Sequence, residues 1–166
     1  MVEFMYKIKG HFYCSHNKLT SLKGCPEIVC ESFLCSNNNL ISLEGCPKIV
    51  LANFSCTHNN LTSLEGCSKI VEGHFWCNDN NLTSLEGCPK IVGGTFYCYD
   101  NNLTSLEGSP DIIGGNFICS NNKLTSLEGS PKIVEGYFNC INQKNGHKFT
   151  EEEVKKHCKV RGRIYT

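Results

Sequence analysis

Cysteine recurs at Cys14, Cys35, Cys56, Cys77, Cys98, Cys119 and Cys140, a constant step of 21 residues with no insertion or deletion. The text between the cysteines is copied too: "NNLTSLEGCSK" at 59–69, "NNLTSLEGCPK" at 80–90, "NNLTSLEGSPD" at 101–111 and "NKLTSLEGSPK" at 122–132. A fixed period of this length marks a repeat architecture, in which each copy is one structural unit stacked on the next. The period settles the class of fold before any single residue is interpreted.

The unit from Gly73 to Gly93 shows what one copy builds. Phe75 and Cys77 are two apart, so in a strand they share a face, while His74, Trp76 and Asn78 point the other way. A strand this short cannot bury its apolar face alone. Successive turns must therefore pair their strands in parallel at about 4.8 Å and close one continuous core. Phe12, Phe33, Phe54, Phe75, Phe96, Phe117 and Phe138 then form an internal column beside columns of Cys and Leu. Asn17, Asn38, Asn59, Asn80, Asn101 and Asn122 sit where the chain leaves the strand. A buried amide there can bond backbone groups of its own and the next turn, so this column reads as structural. Gly24, Gly45, Gly66, Gly87, Gly108 and Gly129 mark a second bend, where Gly adopts a positive φ without steric penalty. The "CPKIV" stretch that follows is too short and Pro-broken for a helix, and predicts extended or 3₁₀ backbone on the convex side.

In "GHFWCNDNNLTSL" the residues Phe75, Cys77, Asn80, Leu82 and Leu85 fit the pattern L-x-L-x-x-N-x-L-x-x-L, with Phe and Cys in the two leading apolar places. This resembles the leucine-rich repeat family over about residues 8–143, on six or seven consecutive turns. Within that family it is most similar to short, 21-residue repeats that carry Cys in the strand. Similar Asn- and Cys-rich arrays occur in proteins of bacteria, phages and large DNA viruses, which admits an effector that blocks a host protein. The expected fold is a mainly β, right-handed leucine-rich-repeat solenoid with one parallel sheet of about seven strands.

A solenoid must also cover its end turns. Residues 1–166 read as one repeat domain: an N-terminal cap at 1–10, repeats at 11–143 and a C-terminal cap at 144–166. At the start, Val2, Phe4, Tyr6 and Ile8 alternate with mostly polar residues, which predicts a covering strand. At the end, Thr150 and Glu153 form a capping-box signature, with Phe149 and Val154 as a hydrophobic staple, so a short helix starts there. A final strand through Val160 and Ile164 is expected to follow it.

Composition excludes more than it selects. Sixteen basic and sixteen acidic side chains give no global attraction to nucleic acid or an anionic membrane. The start carries Glu3 and no apolar core of a signal peptide, and no stretch approaches the ~18 apolar residues of a membrane span, so a cytoplasmic protein is expected. The sequons at Asn53, Asn60, Asn81 and Asn102 then carry no glycan. Thirteen cysteines are an odd number and follow the repeat, which favours reduced packing thiols over a disulfide scaffold. Their columns lack the tight C-x₂₋₄-C pairs of zinc sites; Cys25 and Cys30 come nearest, and Ser109 and Ser130 replace Cys in the second column. No metal and no cofactor is therefore assigned. The exposed Glu column, Glu44, Glu65, Glu86, Glu107 and Glu128, is expected to be offset by Lys48, Lys69, Lys90 and Lys132, four residues later in their turns.

Three places could carry function. His58, Asp79 and Asp100 fall at one position on successive turns, about 5 Å apart, where two carboxylates could share a proton or hold a cation in a ligand or enzyme site. Asn at the same place in other turns favours a polar column instead. The tail residues Lys155, Lys156, Lys159, Arg161 and Arg163 could meet phosphate, but Glu151, Glu152 and Glu153 lie beside them and capping is the favoured role over nucleic-acid binding. The third is the variable outward row of the strands. Its middle turns bring together His74, Trp76, Asn78, Tyr97 and Tyr99, bordered by His58, Asp79 and Asp100, on what is read as the concave face. Aromatics with a polar border compose a protein-binding hot spot. The sequence is thus read as a non-enzymatic module whose partner is another protein.

Overall fold

The computed structural model describes residues 6–166, and Val2 and Phe4 of the expected covering strand lie outside the described residues. The chain is a parallel β-solenoid with little helix. Each turn supplies two strands of two residues, as in Phe75–Trp76 and Ile91–Val92. The strands that begin with Phe stack into one eight-stranded sheet, here the Phe sheet, and the Ile–Val strands stack into a second, the Val sheet. Register follows the copied text: Phe54 pairs with Phe75 and Phe75 with Phe96 in one sheet, and Val71 pairs with Val92 in the other.

The second sheet corrects the expectation of a single sheet of about seven strands. The "IV" pair was read as extended backbone, and so it is, but its peptide groups also bond the neighbouring turn: Gly93 N–H donates to Val71 O at 3.2 Å and Gly114 N–H to Val92 O at 2.9 Å. Side-chain parity does the rest, since Val50, Val71, Val92 and Val134 face the core while Ile70, Ile91 and Ile112 stand exposed outside. β-Branched residues suit such a pleated surface.

The core between the sheets is built from columns. Phe33, Phe54, Phe75, Phe96, Phe117 and Phe138 are wholly buried, with ring centroids 4.8 Å apart for Phe54 and Phe75 and 5.1 Å for Phe75 and Phe96. The strand cysteines Cys35, Cys56, Cys77, Cys98 and Cys119 are buried free thiols. Each donates its S–H to a carbonyl of the next turn, for example Cys77 Sγ to Tyr97 O at 3.3 Å. Cysteine thus gives this column a small apolar side chain that also satisfies a carbonyl.

The Asn column joins the turns as expected. Asn80 Nδ2 donates to Cys77 O at 3.2 Å and Asn78 O at 3.2 Å in its own turn, and to Cys56 O at 3.0 Å in the turn before. Its Oδ1 accepts the N–H of Leu61 at 3.1 Å. Gln143 plays the same part at the last full turn, accepting Leu124 N–H at 3.0 Å, a substitution that sequence reading missed.

The Gly column has the positive φ expected of it, and it lies against the preceding turn. At Gly87, φ is +94°, and an added Cβ would stand 2.4 Å from Leu64 O and 2.5 Å from Glu65 N. Gly87→Ala is therefore expected to destabilise the fold by about 3 kcal/mol, the sum of left-handed backbone strain and a backbone clash. Urea denaturation checks this, and an unchanged midpoint would contradict the packing of this bend.

At the N-terminal end the described part of the expected covering strand, Lys7–Ile8, is the terminal strand of the Val sheet, paired in register with Ile28–Val29, and Tyr6 is exposed. At the other end the capping box is present, Thr150 Oγ1 accepting Glu153 N–H at 3.2 Å and Glu153 Oε2 accepting Thr150 N–H at 2.7 Å. Helix α1, Glu151–His157, buries Val154 beside Phe149 and Cys158. The single final strand expected through Val160 and Ile164 is two strands: Lys159–Val160 extends the Val sheet and Ile164–Tyr165 the Phe sheet. The chain completes one more turn, with the helix inserted before it. Of the lysines expected to offset the Glu column, Lys48 pairs instead with Glu27 and Lys132 with Asp111, each at 3.1 Å, while Lys69 and Lys90 line one recess with Glu86 and Glu107.

Candidate binding face

The outward side of the Phe sheet places Trp76 and Tyr97 on paired strands, so their side chains emerge side by side. Their rings stack at 5.5 Å with an interplanar angle of 12°. Tyr99 meets Tyr97 edge-on at 6.4 Å, and His74 stands 5.3 Å from Trp76. The structure thus brings the expected aromatics together as one continuous patch. Outward parity alone implies fully exposed rings, but Trp76, Tyr97 and Tyr99 are half-buried, because each ring covers part of its neighbour.

Two residues assigned to this face have additional roles. His74 is exposed, but its Nδ1 accepts the backbone N–H of Thr95 at 2.9 Å. It belongs to a ladder in which one side chain per turn accepts the N–H of the next: Asn53 Oδ1 from His74, Thr95 Oγ1 from Asn116, and Asn116 Oδ1 from Tyr137. Asn78 is outward by parity yet only 4% exposed, so it lies beneath the surface rather than on it. Its Nδ2 donates to Asp79 Oδ2 at 2.7 Å. Its Oδ1 is a buried side-chain polar atom with no hydrogen-bond partner among the described residues.

The His58, Asp79 and Asp100 column has a backbone explanation that sequence reading missed. All three adopt left-handed conformations, with φ of 52°, 55° and 51°, as do His16, Asn37, Asn121 and Asn142 at the same place in other turns. Asn, Asp and His are the non-glycine residues most enriched in that region, so the turn itself selects these residue types. His58 Nδ1 lies 3.8 Å from Asp79 Oδ2, and Asp100 Oδ2 accepts from Asn121 Nδ2 at 3.3 Å. The two carboxylates also act on Tyr99: partial burial first, then the charges of Asp79 and Asp100, raise its hydroxyl pKa above the ordinary value.

Beside the aromatic patch the same face steps down. In the row of Tyr99 the earlier turns carry Ser15, Ser36, Thr57 and Asn78, and in the row of Trp76 turn three carries Ser55 after Leu34, leaving a shallow depression of about 500 Å³ that Asn37 also lines. Trp76 and Tyr99 form its wall.

Comparison with protein-family models, curated proteins and solved structures gives no match. Function must be argued from the face itself.

The remaining candidates gain little. Among the described residues no three His, Cys, Asp or Glu side chains are gathered to hold a metal ion. In the tail, Arg161 pairs with Glu135 at 2.7 Å and Lys155 with Glu151 at 2.8 Å, so two of its five cations are engaged within the fold. No helix among the described residues is long and apolar enough to cross a membrane.

Proposed function

We propose that this chain is a non-enzymatic binding module of the leucine-rich-repeat kind that recognises another protein with the outward side of its Phe sheet. The contact is centred on Trp76, Tyr97 and Tyr99, with His58, His74, Asp79 and Asp100 at its border. The observation that carries this reading is the stacked Trp76–Tyr97 pair, which stands above a depression of small hydroxyl side chains in an otherwise copied structure. Large aromatics that keep part of their area in water, beside a recess that a partner can fill, are what interface anchors require. In the half-buried state they already pack on one another, so little ordering entropy remains to be lost on binding. A cytoplasmic setting fits reduced cysteine columns.

The test uses the chain's own small outward residues as the template. A triple variant, Trp76→Ser, Tyr97→Thr and Tyr99→Thr, replaces the three rings by the small hydroxyl residues that Ser55 and Thr57 supply on turn three. Affinity capture from the native host, read by mass spectrometry, is expected to recover a partner with the wild type and to lose it with the variant. Recovery of the same partner by both would place the contact elsewhere.

A further inference from the structure

Resting on that reading, the chemistry of the face narrows what the partner must insert. Apart from the Trp76 indole N–H, the polar side chains that line the depression can all accept a hydrogen bond, the serine and threonine hydroxyls and the amides of Asn37 and Asn78 among them, and the carboxylates of Asp79 and Asp100 lie beside it near Tyr99. No lysine or arginine lines the depression.

Asn78 carries the most information. A buried amide oxygen without a partner costs roughly 1–3 kcal/mol, so native structures rarely leave one empty. Turning the amide over would not repair it. Nδ2 already donates to Asp79 Oδ2 at 2.7 Å, and a flipped amide would set its oxygen against that carboxylate. The missing group is therefore a donor. The oxygen is sealed from solvent as it stands, so a donor entering by the depression that Asn78 lines reaches it only when the Trp76 and Tyr99 rings move aside. Two carboxylates on adjacent turns lie close enough to Tyr99 to shift its hydroxyl, so the donor enters a negative field. A planar cation with several N–H groups meets all three conditions at once. It can stack on an aromatic face, donate to a neutral amide oxygen and face a carboxylate.

We infer that the face receives an arginine side chain of the partner, its guanidinium held between the aromatic wall, the Asn78 amide oxygen and the Asp79 and Asp100 carboxylates. Lysine satisfies the charge but not the stacking or the divided donors.

Trp76 is the only tryptophan of the chain and so reports on its own site. Its fluorescence would be titrated with acetyl-Gly-Arg-Gly-amide and with the same peptide carrying citrulline, which keeps the shape and removes the charge, or lysine. The arginine peptide is expected to give a saturable change, with citrulline and lysine each at least about tenfold weaker. Asp79→Asn with Asp100→Asn, which retains a residue type suited to the left-handed backbone, is expected to weaken the arginine peptide about tenfold or more while circular dichroism stays unchanged. Asn78→Leu, which removes the orphan oxygen, should also weaken it. No saturable change, equal binding of citrulline, or indifference to the Asp pair would overturn the inference. Loss of a captured protein partner in the triple aromatic variant would still stand in any of those cases, so the two readings fail separately.

Discussion

Raising the pH above about 9 is expected to unfold the solenoid cooperatively. The strand thiols Cys35, Cys56, Cys77, Cys98 and Cys119 have pKa values well above the ordinary thiol range, through burial first and neighbouring cysteines second. Cys14 and Cys140, at the two ends of the column, are each pushed up to about 12. In the unfolded chain the same thiols ionise near 8.5. The native state therefore holds protons that the unfolded state releases, and their contribution to stability is complete below the unfolded value and lost as pH rises through the folded one. Each such thiol withdraws about 1.4 kcal/mol per pH unit above 8.5. Against a total of about 5–15 kcal/mol for a domain, seven acting together exhaust the margin within one or two units. Circular dichroism under reducing conditions should show the strand signal lost between about pH 9 and 11. A fold that persists to pH 12 would mean that the cysteine column is not sealed from water.

The second large effect is expected at the Asn column. Asn80→Ala removes one acceptor and three donor contacts, leaving the Leu61 N–H unpaired in the core and depriving three carbonyls of a donor. At about 1–3 kcal/mol for each buried group left unpaired, a loss of about 4 kcal/mol is expected in urea denaturation. Asn80→Asp discriminates between hydrogen bonding and mere filling of space. It has nearly the same shape, but it would turn a carboxylate oxygen toward the carbonyls of Cys56, Cys77 and Asn78, and should cost at least as much as alanine. An Asp variant near wild-type stability would show that the column fills volume only.

The parts of this fold that were legible in the sequence are those whose signal repeats within one turn. Phe75 and Cys77 two apart give a strand face, and Asn80 and Gly87 mark bends through properties that few other residues share. The Val sheet was not legible as a sheet, because a strand of two residues carries no periodicity of its own. Ile91–Val92 is a strand only because Ile70–Val71 and Ile112–Ile113 lie beside it. The tail was misread for a related reason: Arg161 and Gly162 turn the chain from one sheet to the other within what looked like one strand.

At the candidate face, parity placed Trp76 and Tyr97 correctly but could not foresee how much the large rings cover, and so Asn78 was expected at the surface. His58, Asp79 and Asp100 were legible as a column and not as a conformation. The signal was present all the same, since His16, Asn37, Asn121 and Asn142 complete a column of seven residues drawn from three types, all suited to positive φ.

The central claim is that copied residues hold the rod together while uncopied ones recognise a partner. The measurement that tests it most directly is the equilibrium dissociation constant of Trp76→Ala for the captured partner. The expected value is about thirtyfold weaker than wild type, near 2 kcal/mol, with Ser36→Ala, on the same face, unchanged. Wild-type affinity in the Trp76 variant, or an equal loss in the serine control, would contradict the account.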